Sequence, residues 1–185
     1  MFDQAGQPGT RAAASGTEMD CAYFRRLARY NEWANRRLYA ACDSLPADAY
    51  FAERPSFFGS IHRTLNHLLA ADRIWMGRFL GVDHGVAALD QELCPDLPAL
   101  KSARAAEDAR IRAYAEALRP EMLDGNLDYR NMAGEQRQTP LRWALAHFFN
   151  HQTHHRGQVH CLLSATPIAP PPLDLLYFLP EDRPV

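Results

Sequence analysis

The chain has 185 residues, of which 47% are hydrophobic and 23% charged, and its formal net charge at pH 7 is −2. This length and apolar content predict one globular domain with a substantial core. Acidic and basic residues are interspersed without a basic stripe, which argues against nucleic-acid binding, and no apolar run approaches the roughly 20 residues that cross a bilayer. We therefore expect a soluble protein.

The cysteines are far apart in the sequence and form no CxxC pair. They are Cys21, Cys42, Cys94 and Cys161. Such spacing is typical of reduced thiols in a cytoplasmic protein and provides neither a disulfide framework nor a zinc knuckle.

The first eighteen residues are rich in Gly, Ala, Ser and Thr and lack an apolar period. They predict a disordered tail over residues 1–18, followed by a single domain over 19–185, with Met19 as an alternative translation start. This segment has neither the apolar stretch of a signal peptide nor the arginines of a transit peptide.

Helix-period segments dominate the rest of the chain. They predict long helices over about 20–43, 61–80, 98–119 and 140–164. Asp20 is a suitable N-cap for the first, and Ser60 and Gly81 bracket the second as N-cap and C-terminal glycine. Thr139 is expected to cap the fourth helix, with Pro140 in its first turn.

Turn signals separate these helices. Residues 46–60 are predicted to form a loop, and Pro120 to close the third helix. Asp124-Gly125 and Ala133-Gly134 predict a short irregular hairpin within 123–138. The apolar piece 173–179 is expected to pack back onto the domain.

The tryptophans at helical spacings are interpreted as core anchors: Trp33, Trp75 and Trp143. The predicted fold class is all-α, a four-helix bundle with a short irregular hairpin before the last long helix.

The segment HFFNHQTHHRGQVH, residues 147–160, contains five of the eight histidines. On a helical wheel with His147 at zero, the large apolar side chains fall between about 60° and 160°. His155, at about 80°, lies inside this stripe, and His151, at about 40°, borders it. His147 and His154 lie nearer the rim, whereas His160 faces away. His151 and His155 are therefore the pair aimed most directly at the bundle interior.

The HxxxH spacing alone does not establish a metal site, because it recurs by chance and a buried histidine is often a hydrogen-bonded core residue. The glutamate of the zinc peptidase motif HExxH is also missing, since Gln152 follows His151. A third ligand from the second helix is either His62 or His67, and apolar periodicity mildly favours His62.

Asp72 lies in the middle of the second helix's apolar stripe. A buried carboxylate needs a partner, which Arg156 or a histidine of the site could supply. The alternative is a surface pair within its own helix, with Arg73 or Arg78.

Five segments together resemble the DinB family of the DinB/YfiT superfamily. They are LARYNEWANRRLY at 27–39, SIHRTLNHLLAADRIWMGRF at 60–79, YRNMAGE at 129–135, HFFNHQTHHRGQVH with a following LL at 147–163, and the terminal PLDLLYFL. The resemblance covers nearly all of residues 20–180 and implies a four-helix bundle with a divalent metal held by three histidines. Carried onto this chain, these are His67, His151 and His155, so the resemblance selects His67 over His62.

Three neutral imidazoles leave coordination positions open, as in catalytic rather than closed structural sites. Nitrogen ligands without thiolates favour Zn or Ni, with Fe, Mn or Co as further candidates. Relatives in the superfamily resemble thiol-dependent isomerases and S-transferases that use low-molecular-weight thiols. The expected function is therefore a metal-dependent enzyme acting on a small molecule, with S-transferase-like chemistry favoured and hydrolysis by a metal hydroxide second.

The alternative function is a non-catalytic metal-binding protein involved in stress response or interaction. The family's damage-inducible name suggests DNA binding, but the charge balance gives it no support. Homodimerisation is implied by the family only.

No residue is assigned a catalytic role, but five candidates surround the expected site. His147 and His154 could act as acid/base groups at its mouth, or be ordinary surface histidines. Gln158 could orient a ligand or bound water. Arg156 is expected to tie helices together through a carboxylate such as Asp72.

Overall fold

The computed structural model describes residues 16–182, with side chains from Asp20 onward. This part of the chain is mostly helical, as predicted, and none of its helices is long and apolar enough to cross a membrane. The elements in chain order are α1 (Gly16–Asp43), α2 (Ala47–Phe51), α3 (Ile61–Leu80), α4 (Leu97–Glu116), α5 (Pro120–Leu123), β1 (Asn126–Arg130), β2 (Gln136–Pro140), α6 (Leu141–Ser164) and α7 (Leu175–Phe178).

The four long predicted helices correspond to α1, α3, α4 and α6, and the boundaries of α3 are those expected. The Ser60 hydroxyl accepts a hydrogen bond from the Arg63 amide, and Gly81 adopts a left-handed conformation with φ 66°. Helix α1 begins at Gly16, so residues 16–18 of the predicted tail are helical, whereas residues 1–15 lie outside the described part. Helix α4 begins at Leu97, one residue before the predicted start at Pro98, and the Asp96 side chain caps it by accepting a hydrogen bond from the Ala99 amide.

The start of α6 differs from the prediction. Pro140 is the N-cap and no side chain caps the helix, because the strand β2 continues through Thr139 and Pro140 directly into Leu141. Two short helices were also missed, α2 in the predicted loop and α5, which Pro120 opens.

The predicted hairpin is confirmed as an antiparallel pair of β1 and β2, in which Leu127 faces Thr139. Its turn is stabilised by Asn131, whose side-chain oxygen accepts hydrogen bonds from the amides of Ala133 and Glu135. Gly134 adopts φ 78°, a conformation that favours glycine.

Two large apolar clusters make up most of the bundle core. The Leu65 cluster includes Leu38, Leu65, Leu69, Leu100, Val159 and Leu163. The Phe148 cluster includes Phe24, Met76, Ile111, Leu118, Leu145 and Phe148. In each of the four long helices, buried polar residues separate the stretches that belong to the two clusters. We call them the polar layer: Asn31, Asn35, Asp72, Arg104, Asp108, Gln152 and Arg156.

Asp72 is buried in this layer, and its partner is Arg104 on α4. The expected pairing with Arg156, a site histidine or its own helix is therefore wrong. Arg104 also lies 3.0 Å from Asp108, whose carboxylate accepts hydrogen bonds from Asn31 and Asn35. A helical wheel for α3 shows that the Asp72 carboxylate faces inward, but it does not show which neighbouring helix supplies its partner.

Arg156 does tie helices together, but not through Asp72. Its guanidinium donates to the Asn31 side-chain oxygen and lies 5.3 Å from the centre of the Tyr30 ring, so it joins α6 to α1.

The C-terminal segment packs onto α1, as expected. Phe178 is buried against Tyr30 and Trp33, and the Asp182 carboxylate accepts hydrogen bonds from Arg26 and Arg29. The other tryptophans are less buried. Trp75 is half-buried, and Trp143 is 67% exposed, so the prediction that Trp143 anchors the core is wrong.

Candidate metal centre

Helices α3 and α6 bring three histidines together. His67 comes from α3, and His151 and His155 occupy successive turns of α6. Their potential ligand nitrogens all lie within 4.8 Å of one another. The Nε2 atom of His155 is 3.0 Å from that of His151 and 3.2 Å from that of His67. The three residues implied by the family resemblance thus form one cluster.

The outer nitrogens of two of these rings face oxygen acceptors. His67 Nδ1 lies 2.8 Å from the Leu89 carbonyl, and His155 Nδ1 lies 2.7 Å from the Gln158 side-chain oxygen. Because carbonyl oxygens only accept, each Nδ1 must carry the proton. In a neutral ring, Nε2 then presents a lone pair toward the centre of the cluster.

The electrostatics of the cluster favour neutral rings. Burial lowers the pKa of His151 to about 3, reinforced by the neighbouring histidines, and that of His155 to about 4. Burial also lowers the pKa of His67. All three imidazoles are therefore uncharged at neutral pH.

Two unprotonated nitrogens at 3.2 Å repel each other unless a positive charge lies between them. The cluster contains neither a carboxylate nor a cysteine within the described residues. Convergent lone pairs with outer nitrogens held by carbonyl oxygens are what a divalent cation needs from histidine ligands. The donor set therefore fits a divalent metal.

Phe58 covers one side of the cluster and was not identified from the sequence. Its ring stacks on His67 with centroids 4.1 Å apart and lies 5.6 Å from the His155 ring. It belongs to the segment between α2 and α3, where no helical period indicates which side chain turns inward.

His62 is a core histidine rather than a member of the cluster. It is 2% exposed, and its ring nitrogens lie 3.0 Å from the Tyr50 hydroxyl and 3.1 Å from the Asn66 side-chain nitrogen. Periodicity favoured it over His67 because α3 is buried around most of its circumference, so the apolar stripe does not define one inward direction.

The remaining candidates lie around the cluster. His154 and His147 are exposed, with rings 4.8 Å from His155 and 5.9 Å from His151, respectively. Gln158 connects His154 to the cluster. Its amide nitrogen is 3.3 Å from the His154 ring, and its oxygen faces His155. His160 bonds the Pro171 carbonyl, as expected for a residue that faces away.

A cavity of about 470 Å³ adjoins His151. Its walls come from α3, from α6 and from the turn of the hairpin. The lining residues include Ile74, Trp75, Arg78, Met132, His147 and His151. A small molecule in this cavity would lie beside one of the three clustered imidazoles.

Comparison with known proteins identifies the family of this chain. A sequence model of the DinB family matches residues 16–183. The chain is 28% identical over 158 residues to the protein named Protein DinB of Bacillus subtilis (strain 168), a match that covers 83% of this chain and 92% of the relative. Family membership and the three-histidine cluster together fit a metal-binding protein. The chain belongs to the DinB family.

Proposed function

We propose that this protein is a metal-dependent enzyme whose divalent cation is held by His67, His151 and His155 and which acts on a small molecule. Transfer to or from a low-molecular-weight thiol is the favoured reaction, and hydrolysis is the second. The observation that carries this proposal is the position of the three-imidazole cluster beside the cavity at His151.

Ligand chemistry supports an open site. Three neutral nitrogen donors leave a metal with free positions, whereas structural zinc sites are closed by four protein ligands. Nitrogen donors favour Zn²⁺ or Ni²⁺, followed by Fe, Mn or Co. A bound cation of this kind acts as a Lewis acid and lowers the pKa of a coordinated thiol or water.

An external thiol suits this site better than one of the chain's own. No cysteine belongs to the cluster, and burial raises the pKa of Cys42 to about 12 and raises that of Cys94. A thiol with a raised pKa is a poor nucleophile because little thiolate is present at neutral pH.

His147 is the side chain placed to move a proton. It lines the cavity with His151, and the partial desolvation of its ring, followed by the positive charge of Arg78, lowers its pKa. A neutral imidazole accepts a proton from a reacting thiol or water. Gln158 holds His155 in the orientation described above and is a positioning residue.

The test is a comparison of metal-stripped protein with protein reloaded with Zn²⁺ or Ni²⁺. Cysteine or glutathione is supplied with a chromogenic aryl halide, so that a carbon–sulfur bond forms, halide leaves, and the thiol proton passes to His147 or solvent. A parallel assay uses p-nitrophenyl acetate and water. We expect product formation that requires metal, is lost in His151→Ala and persists in His160→Ala.

A protein that binds one metal per chain but gives no metal-dependent product across these thiols and esters would contradict the proposal. It would favour the non-catalytic alternative, a metal-binding stress or interaction protein.

A further inference from the structure

Arg78 lies in the wall of the cavity beside His151. Its guanidinium carbon is 4.7 Å from the centre of the Trp75 ring and 4.8 Å from that of the Tyr129 ring. Within residues 20–182, no carboxylate lies within ion-pair distance of it, and its Nε atom is buried without a hydrogen-bond partner.

This placement is costly for a charged group. Burial lowers the pKa of Arg78, but a guanidinium remains protonated at any physiological pH. The two aromatic rings stabilise the cation through their faces, yet they accept none of its in-plane N–H donors. These donors need an acceptor, and the cavity is where one can enter.

The other residues that line the cavity indicate the chemistry of the rest of the bound molecule. Ile74, Trp75 and Met132 are apolar or aromatic, and among the residues that the structure describes no acidic side chain contributes to the lining. Arg78 is therefore the positive group of an otherwise largely apolar cavity that lacks negative charge.

We propose that Arg78 binds the carboxylate of the small molecule that occupies this cavity, with the apolar part of that molecule against Trp75 and Met132. The role of Arg78 in binding substrate rests on the proposed function, because the same molecule would react beside His151. A planar guanidinium matches a carboxylate through two parallel N–H···O bonds, which gives both affinity and orientation.

The experiment is isothermal titration calorimetry of the full-length protein with benzoate and with benzamide, its neutral isostere. Each titration uses protein as purified and protein treated with a chelator, so that carboxylate binding to a metal is separated from binding to Arg78. Wild-type protein is expected to bind benzoate at least tenfold more tightly than benzamide in both preparations.

Arg78→Gln is expected to weaken benzoate binding by about tenfold to a hundredfold and to leave benzamide unchanged. Arg78→Lys keeps the charge but not the paired donors, so its affinity should be intermediate. The matched control is Arg119→Gln, which removes an exposed arginine that pairs with Glu121, outside the cavity lining.

Because Arg78 stacks on two rings, Arg78→Gln could fail to fold, which a thermal melt would reveal. Met132→Glu then provides the test, since Met132 is 38% exposed and lines the same cavity. Met132→Gln makes the same change in shape without the charge and is the reference for this variant. Relative to Met132→Gln, Met132→Glu should weaken benzoate binding several-fold and bind benzamide equally well.

Two results overturn the proposal. One is equal benzoate affinity in wild type and folded Arg78→Gln, or in Met132→Gln and Met132→Glu. The other is benzoate binding that is absent or that disappears with the metal, which places the carboxylate on the cation instead. If the proposed function fails but the Arg78 proposal holds, the metal-free protein still binds benzoate more tightly than benzamide, and Arg78→Gln still removes this preference.

Discussion

The Nε2 atoms of His67 and His155 face each other at 3.2 Å, although the residues are 88 positions apart in the chain. A cation between them would join α3 to α6 as well as provide a reactive centre. We expect about one metal ion per chain, and its loss in His67→Ala, His151→Ala or His155→Ala, because two imidazoles hold a divalent ion much less tightly than three.

Elemental analysis of protein purified from metal-replete cells checks this first prediction. His160→Ala is the matched control, since it removes a histidine of the same helix that bonds the Pro171 carbonyl instead. One equivalent of metal retained by His155→Ala would refute the three-ligand assignment.

Gln158 should control metal affinity without touching the metal. Its oxygen accepts the Nδ1 proton of His155 and thereby fixes which nitrogen faces the cluster. Gln158→Leu is expected to weaken metal binding by about tenfold to a hundredfold, measured by competition with a chelating dye. Gln136→Leu alters an exposed residue of β2 and should bind metal as wild type does, and equal affinity in both variants would remove Gln158 from the site.

The stability of the metal-free protein should fall on acidification. The unfolded chain takes up histidine protons near pH 6.5, whereas the folded pKa values of His151 and His155 are about 3 and about 4. The folded state therefore binds fewer protons, so the free energy of unfolding decreases as the pH falls from about 6.5 to about 4. We expect a slope of order 1 kcal/mol per pH unit.

Urea unfolding at pH 7.5, 6.5 and 5.5 in the presence of a chelator measures this slope. The control is the His151→Asn, His155→Asn double variant, whose slope should be shallower. Burial raises the pKa of Asp72 to about 7, which acts on the slope in the opposite direction. Both proteins contain Asp72, so the difference between their slopes reports the two histidines. Equal slopes would contradict the prediction.

The buried ion pair in the polar layer should matter far more to stability than an exposed pair on the same helix. Arg104→Met leaves Asp72 and Asp108 buried without their common counter-charge. We expect the free energy of unfolding to drop by about 3–5 kcal/mol.

Lys101→Met is the matched control, because Lys101 pairs with Asp43 at the surface, where both side chains are 43% exposed. This substitution should lower the free energy of unfolding by less than about 1 kcal/mol. Chemical denaturation compares the two variants, and similar midpoints would show that the buried pair is not a major determinant of stability.

Sequence patterns predicted the four long helices, the hairpin and the inward direction of His155, because each depends on local periodicity or turn chemistry. They did not predict the partner of Asp72, since that depends on which helix packs beside α3. The same limit applies to His67, which family resemblance rather than periodicity selected.

Phe58 and Leu89 were missed for a related reason. Both contact His67 from segments outside the long helices, where side-chain direction has no period to reveal it. Arg78 appeared in the sequence only as a possible surface partner of Asp72. Its position against Trp75 and Tyr129 required the hairpin to fold beside α3.

The turn of the hairpin forms one wall of the cavity, yet Met132 and Ala133 are exposed and belong to neither core cluster. Replacing exposed residues of this kind costs little stability. Substitutions at this turn can therefore change the shape and polarity of the cavity without disturbing His67, His151 and His155. The part of the molecule that would select a bound compound is in this way separate from the part that would hold the metal.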